Sequence, residues 1–498
     1  MLHDMKGTPA AALIGALTAM AFFAFWTCAM GAENTGSTRP APLPRVRVAA
    51  DGRGFVTSEG RPFAPFGVNY YRPGTGWAPQ VWKKYDAAAA RRDLRLLRSM
   101  GGNCVRVFLS FGSFYSKPGA LDAEGLEKFD DFLAAAEEAG VYVHPTGPDH
   151  WEGLPQWAGT DRYADETVLA AIVEFWKLFA ARYRGRTTIF AYDLLNEPAV
   201  RWDTPPMRRQ WAEWVIRRYG SAAGAARAWG VAEETLAGGI AIPKAEDKPV
   251  DPMLLDYQRF REDIADRWTR RQAEAIRAAD RDALVTVGFI QWSVPAVLPR
   301  ADVYSGFRPQ RQAQYLDFLE IHFYPLAGGA YQYDGAERES LNLAYLEAVV
   351  RETALPGKPV VIAEFGWYGG GTFPMGGRQS REASEEDQAG WCEKLIRTTA
   401  PLACGWLNWG FYDHPGARDV SVRTGLLMED GREKAWGRKF RLLAAEYQAH
   451  RAAGAAAVER PALPWDRCIT SPRAAGEFLQ EYAKVFRQAT DSGGKPRE

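Results

Sequence analysis

Neither sign of charge dominates this chain: Lys plus Arg and Asp plus Glu each total 61, and the formal net charge is zero. No long-range field therefore favours nucleic acid, an anionic membrane surface or a polyanionic ligand, and a neutral partner fits best. Cysteine is scarce, five in 498 residues, and no spacing among Cys104, Cys392, Cys404 and Cys468 suggests a metal site. A glycine-rich phosphate loop after an early strand is also missing, which argues against an open, doubly wound nucleotide-binding sheet. What is plentiful is apolar and aromatic surface. The chain is 47% hydrophobic and 13% aromatic, with 18 Trp, enough for a large core and for flat rings to stack on a ligand.

The N-terminus carries a short charged head (His3, Asp4, Lys6) and then an apolar run over 10–32. This reads as a signal peptide over 1–32 that directs the chain to a secreted or periplasmic location, with an uncleaved membrane anchor as the second reading. Ala29, Gly31 and Ala32 offer cleavage sites, whereas Phe25-Trp26-Thr27 poorly matches the small-residue approach to a lipoprotein Cys28. In an oxidising compartment, Cys104 and Cys404, in or beside apolar strand-like runs, read as buried thiols, and a Cys392–Cys468 pair stays open. Residues 33–45 are rich in Thr, Ser, Gly and Pro and read as a flexible linker.

From 46 onward, short apolar runs alternate with amphipathic stretches. The candidate strands are 66–69, 103–109, 141–145, 189–195, 284–289, 318–323, 360–365 and 405–409. Helical periodicity links them, for example at Leu126, Phe129, Leu133 and Ala136. Eight strands, each followed by a helix, predict a (β/α)8 TIM barrel over 46–453, extended by an insertion over 201–252 after strand four. Beyond it, 454–498 reads as a linker and an amphipathic helix whose apolar face (Phe478, Leu479, Tyr482, Val485, Phe486) packs on the barrel or, less simply, docks a partner or membrane.

Barrel chemistry gathers where strands end. Ala191-Tyr-Asp-Leu-Leu-Asn196-Glu197-Pro198 closes the fourth strand and Val360-Val-Ile-Ala-Glu364-Phe-Gly-Trp367 the seventh, each with an acid at its end. Two carboxyls about 5–5.5 Å apart suit retaining glycoside hydrolysis, in which one attacks the anomeric carbon and the other protonates the leaving oxygen. Burial or the neighbouring carboxylate must raise the acid's pKa.

These motifs resemble clan A of the glycoside hydrolases, family 5 in particular, the cellulase and β-mannanase type. The resemblance implies Glu197 as acid/base and Glu364 as nucleophile. Gly67-Val-Asn-Tyr-Tyr71 and Asn103-Cys-Val-Arg106 resemble the first two strands, with Arg106 holding the nucleophile side. Ile321-His322-Phe-Tyr324-Pro325 resembles the sixth, with His322 beside the acid/base and Tyr324 beside the nucleophile. Gly405-Trp406-Leu-Asn-Trp409 resembles the eighth, whose Trp forms the sugar floor. Trp409 competes with Trp406 for that place and is preferred because it lies closer to the strand end. Asn196 is expected to donate to the sugar 2-hydroxyl.

Two departures stand beside these matches. The family's strand-three His has no clean counterpart, since Val141-Tyr-Val-His144-Pro-Thr-Gly-Pro-Asp149-His150-Trp151 offers His144 or His150. His150 is the expected sugar contact, with Trp151 and Trp367 stacking on the ligand. A metal at His144, Asp149 and His150 would need further ligands, so neither metal nor cofactor is expected. The second departure is the insertion, whose Arg218-Tyr-Gly-Ser and Ala226-Arg-Ala-Trp229-Gly230 resemble a segment of family 42 β-galactosidases. Inserted loop material of this kind can wall off one end of a cleft.

Sequence alone therefore points to hydrolysis of a β-linked oligo- or polysaccharide, β-mannan or β-glucan leading, with an exo-acting β-mannosidase or β-galactosidase as alternative. A secreted sugar-binding protein without turnover is the reading of another class.

Overall fold

The structure, a computed structural model, describes residues 41–493 apart from 76, 77, 150, 151, 160 and 237. The expected signal peptide, most of the expected linker, and Trp77, His150 and Trp151 therefore lie outside the described residues.

Eight parallel strands close into a barrel: β1 Phe66–Asn69, β2 Cys104–Ser110, β3 Tyr142–Asp149, β4 Tyr192–Asn196, β5 Val285–Phe289, β6 Leu319–Phe323, β7 Val360–Phe365 and β8 Trp406–Asn408. They pair in chain order, with β8 returning to β1. All of them are buried throughout, which is why they read as continuous apolar runs. The main helices are α1 Ala87–Ser99, α2 Ala123–Ala139, α3 Glu166–Arg182, α4 Pro205–Tyr219, α5 Ala222–Trp229, α6 Pro252–Ala279, α7 Ala336–Ala354, α8 Glu385–Thr399, α9 Ala435–Tyr447 and α10 Pro472–Gly493. After β5 the chain uses only single turns, the longest Pro309–Gln312, in place of a full helix.

A feature not read from sequence seals the end of the barrel where the strands begin. Three short antiparallel strands, Val46–Val48, Phe55–Thr57 and Pro62–Phe63, carry Phe55 and Phe63 against the strand starts. The Phe55 ring lies 5.2 Å from both Phe190 and Phe318, and Phe63 lies 4.9 Å from Tyr142, all centroid to centroid.

The insertion forms α4 and α5 and packs on α6. Gly220 ends α4 in the left-handed region and Ser221 caps α5, so the Arg218-Tyr-Gly-Ser motif is a helix–turn–helix joint. Trp211 stacks on Trp214 and Trp229 and meets Tyr257 and Phe260 of α6. At the far terminus, Phe478, Leu479, Tyr482 and Phe486 of α10 are buried, and the Tyr482 hydroxyl donates to Glu347 of α7. The apolar face thus packs on the barrel's helical layer. Among the described residues no helix is long and apolar enough to cross a membrane. Cys104, Cys392, Cys404 and Cys468 are all buried and free, so the Cys392–Cys468 pair left open by the sequence is not formed.

Candidate active site

The period-two alternation of β2 turns Cys104 toward the sealed interior and, one step up the same inner face, Arg106. A fully buried guanidinium needs counter-charge, and Arg106 has it from two strands. Nη2 donates to Asp193 of β4 at 2.7 Å, and Nη1 donates to Oε1 of Glu364 at 2.8 Å. Further donations go to Oδ1 of Asn69 and of Asn196, both at 2.9 Å. Arg106 is thus both the partner of a buried carboxylate and the support of the nucleophile side.

Room for this knot comes from Gly288 on β5. A Cβ there would meet Nη2 of Arg106 at 2.8 Å, Nε2 of His322 at 2.9 Å and Oδ2 of Asp193 at 3.0 Å. One layer down, His144 bonds Oε1 of Glu320 through Nε2 at 2.6 Å and the Ala191 carbonyl through Nδ1 at 2.8 Å. It is a core residue, away from the cavity.

Glu197 follows directly on β4 in the left-handed region, at φ 46°, and its side chain keeps 29% of its surface open. Nδ1 of His322 lies 3.2 Å from Oε1 of Glu197 and 3.5 Å from Oε1 of Glu364. The Tyr324 hydroxyl donates to Oε2 of Glu364 at 3.1 Å. One oxygen from each glutamate and a His322 nitrogen all lie within 4.8 Å of one another. That separation falls on the side of a retaining pair and short of the ~6.5–9.5 Å that an inverting pair needs to admit water.

Burial drives the electrostatics. It lifts the Glu197 carboxyl to about 7, with Arg106 pulling it down and Asp149 pushing it up. Burial also raises Glu364, opposed by His322 and Arg106 and reinforced by Glu197. His322 is pushed down to about 4, again mainly by burial, so its imidazole is neutral at pH 7. The two glutamates consequently differ. Glu364 is held by two fixed donors, whereas Glu197 holds a proton near neutrality.

Among the described residues, two groups of side chains have metal-ligand spacing, Glu197 with His322 and Glu364, and His144 with Asp193 and Glu320. At least one ligand atom of each residue is engaged by another member of its group, by Arg106 or by Tyr324, while Oε2 of Glu320 and Nε2 of His322 have no hydrogen-bond partner among the described residues. Two-carboxylate hydrolysis calls for no metal. Of His144, Asp149 and His150, at which no metal is expected, His144 turns to Glu320 and His150 lies outside the described residues.

The glutamates open into a cavity of about 320 Å³ lined by Asn196, Tyr324, Trp367, Trp409 and Ser421, with Leu326, Phe373 and Met375 beyond. Its Trp is Trp409, whose indole N–H donates to Ser421 Oγ at 2.8 Å. Trp406 instead packs among Phe66 and Tyr447 and donates to Thr399. Trp367 also lines the cavity, fixed by donation to the Tyr331 carbonyl at 2.8 Å. Trp82, by contrast, is core and donates to the Phe108 carbonyl.

Among the described residues, no lining residue comes from the insertion. The loops after β6, β7 and β8 build the wall, and the insertion's tryptophans are spent on packing against α6. Asp193, Gly288, Ser421 and the Phe373–Met375 segment are the contributors that sequence reasoning missed. Asp193 had a usable signal, an acid inside an apolar strand, which requires a buried partner.

The profile of Cellulase (glycosyl hydrolase family 5) matches residues 56–414. Mannan endo-1,4-β-mannosidase F of Aspergillus clavatus is 25% identical over 169 residues, 29% of this chain and 39% of that protein. Beta-galactosidase A of Aspergillus oryzae is 35% identical over 85 residues, 15% of this chain and 8% of that one. The chain thus spans about a third to two-fifths of the mannosidase relatives it matches. Among solved structures, a family 5, subfamily 18 protein from Streptomyces cattleya in complex with Manβ1-4GlcNAc shares the fold at TM-score 0.60 and 19% identity, over 86% of this chain and 92% of that one. An exo-β-1,4-mannosidase from Opitutaceae bacterium strain TAV5 does so at 0.57 and 18%, over 80% and 62%. With its eight-stranded barrel, paired strand-end glutamates and a profile match across most of its length, the chain belongs to glycosyl hydrolase family 5.

Proposed function

We propose that the protein hydrolyses a β-linked oligo- or polysaccharide with net retention, Glu364 attacking the anomeric carbon and Glu197 protonating the departing oxygen. The observation that carries this reading is the unequal environment of two carboxyls within 4.8 Å. Glu364 is oriented by Arg106 and Tyr324, and Glu197 is buried enough to hold a proton at about 7. Once Glu364 is glycosylated its charge is gone, Glu197 loses its proton more readily, and it can activate the water that releases the sugar. Asn196 is the donor to the sugar 2-hydroxyl, and Trp409 and Trp367 provide flat faces for the ring.

A β-mannoside is the favoured substrate, supported by the mannosidase relatives, with β-glucan second. A cavity of about 320 Å³ stands at the small end of ligand sites, which favours short substrates or chain ends. We further propose that residues 1–32 direct export, on the strength of the charged head and apolar run. The test of function is a panel of aryl β-glycosides, manno-oligosaccharides and glucans assayed with wild type and Glu364→Ala, with the first-formed anomer read by proton NMR. Glu364-dependent release of the β-anomer is expected. Binding without turnover would make the chain a sugar-binding protein, and an inverted product would overturn the mechanism.

A further inference from the structure

Arg261 of α6 is fully buried, yet neither of its hydrogen bonds goes to a carboxylate. Nη2 donates to the Val200 carbonyl at 2.6 Å and Nη1 to Oε1 of Gln258 at 2.7 Å. Gln258 is itself fixed, its amide donating to the carbonyls of Ala301 and Ile469, both at 2.8 Å. The guanidinium lies 5.1 Å from the ring of Trp202, a residue of the insertion, and Tyr257 packs edge-on against that ring at 4.8 Å. Trp202 is held in turn at its backbone by the Tyr257 hydroxyl and at its indole N–H by the Pro243 carbonyl.

Burying a cation whose hydrogen bonds go only to neutral acceptors, with Glu262 and Asp302 acting on it without such a bond, is costly, so what it holds matters. What it holds is the peptide three residues after Glu197. That glutamate sits at φ 46°, a conformation a non-glycine side chain keeps only when its surroundings impose it. The turn is pinned on one side by Glu197 N–H donating to the Gly288 carbonyl at 2.9 Å. On the other side Val200 N–H donates to Ser305 at 2.8 Å, and Arg261 takes the Val200 carbonyl.

We propose that Arg261, covered by Trp202 of the insertion, is a positioning residue for the general acid, clamping the left-handed turn that aims Glu197 at the leaving oxygen. This rests on the reading of Glu197 as acid/base. The insertion then serves the site from behind, through the backbone that carries the acid.

A positioning role for the acid has a signature that a general loss of fold lacks, because a leaving group that departs unprotonated does not need the acid. The probes are 2,4-dinitrophenyl and methyl β-D-mannopyranoside, with the matching glucosides in parallel. Arg261→Met is expected to lower kcat/KM on the methyl glycoside by about 30-fold or more, and on the dinitrophenyl glycoside by less than about threefold. If Arg261→Met does not fold, as judged by circular dichroism, Arg261→Lys and Trp202→Leu are read instead and should show the same selectivity with smaller losses. Equal losses on both substrates, or no loss on either, would overturn the proposal. Glu197→Ala is run alongside, and if it too lacks the selectivity, the acid/base assignment is what fails.

Discussion

Arg106 donates to the very oxygen of Glu364 that faces His322, while Tyr324 takes the other oxygen. The carboxylate is therefore held flat by two donors from opposite sides of the barrel.

Removing the guanidinium strands two acids at once, Asp193 and Glu364. Arg106→Met should destabilise the protein by about 3–5 kcal/mol and abolish turnover, whereas Arg106→Lys keeps the charge but loses the fork and should fall between. Denaturant unfolding of both variants measures this. Wild-type stability in Arg106→Met would contradict the network.

The Glu197 carboxyl at about 7 sets a pH limit. Under the proposed mechanism kcat/KM falls on the alkaline side as Glu197 loses its proton near pH 7, and on the acid side as Glu364 gains one. The alkaline limb should be present for wild type on a methyl glycoside and absent on a dinitrophenyl glycoside, whose leaving group needs no proton. The stability consequence has the opposite sense to a salt-bridged acid. The folded state binds this proton more tightly than the unfolded chain, so Glu197 costs nothing below the ordinary glutamate pKa, costs progressively more up to about 7, and stays costly above. The melting temperature of Glu197→Gln should therefore exceed that of wild type by more at pH 8 than at pH 5, and a constant difference would refute the assignment.

Gly288→Ala tests the packing of the knot directly. The added methyl would overlap Arg106, His322 and Asp193 together. A loss of about 1–3 kcal/mol is expected from overpacking, with kcat reduced at least tenfold because the displaced groups orient Glu364. Retention of full activity would show that the inner layer yields without consequence.

Ser421 anchors the Trp409 ring. Ser421→Ala leaves a buried indole N–H without that acceptor, a cost of about 1–3 kcal/mol, and under the proposed function, in which the ring's surface binds the sugar throughout the reaction, should raise KM several-fold while changing kcat less. Steady-state kinetics on the best substrate of the panel separates the two parameters.

The barrel was legible because strands buried on both faces must be apolar at nearly every position. The reading at 360–365 coincides with β7, and that at 66–69 with β1. Strand-end acids were legible for a related reason, since a charge closing an apolar run needs a purpose. Asp193 and Gly288 were harder, because their partners come from β2 and β6, distances that no local pattern encodes. The wall of the cavity was not legible at all. Leu326 and Phe373 sit on irregular loops, and Met375 on a two-residue strand, whose paths follow from contacts such as Tyr333 with Tyr368. The insertion was expected near the cleft, yet Met207, Trp211 and Val215 recur at helical spacing and mark a buried face of its own. The short strands under the barrel offered too few residues for any period to register.

Those short strands have a consequence for traffic through the molecule. With Phe55 and Phe63 stoppering one end, the column of groups from Glu320 through Arg106 to Glu364 has hydrocarbon beneath it and the reaction chamber above. The chamber is blind-ended. Under the proposed double displacement, the arriving sugar, the departing first product and the water of the second step therefore enter and leave on the side where the strands end, away from Phe55 and Phe63.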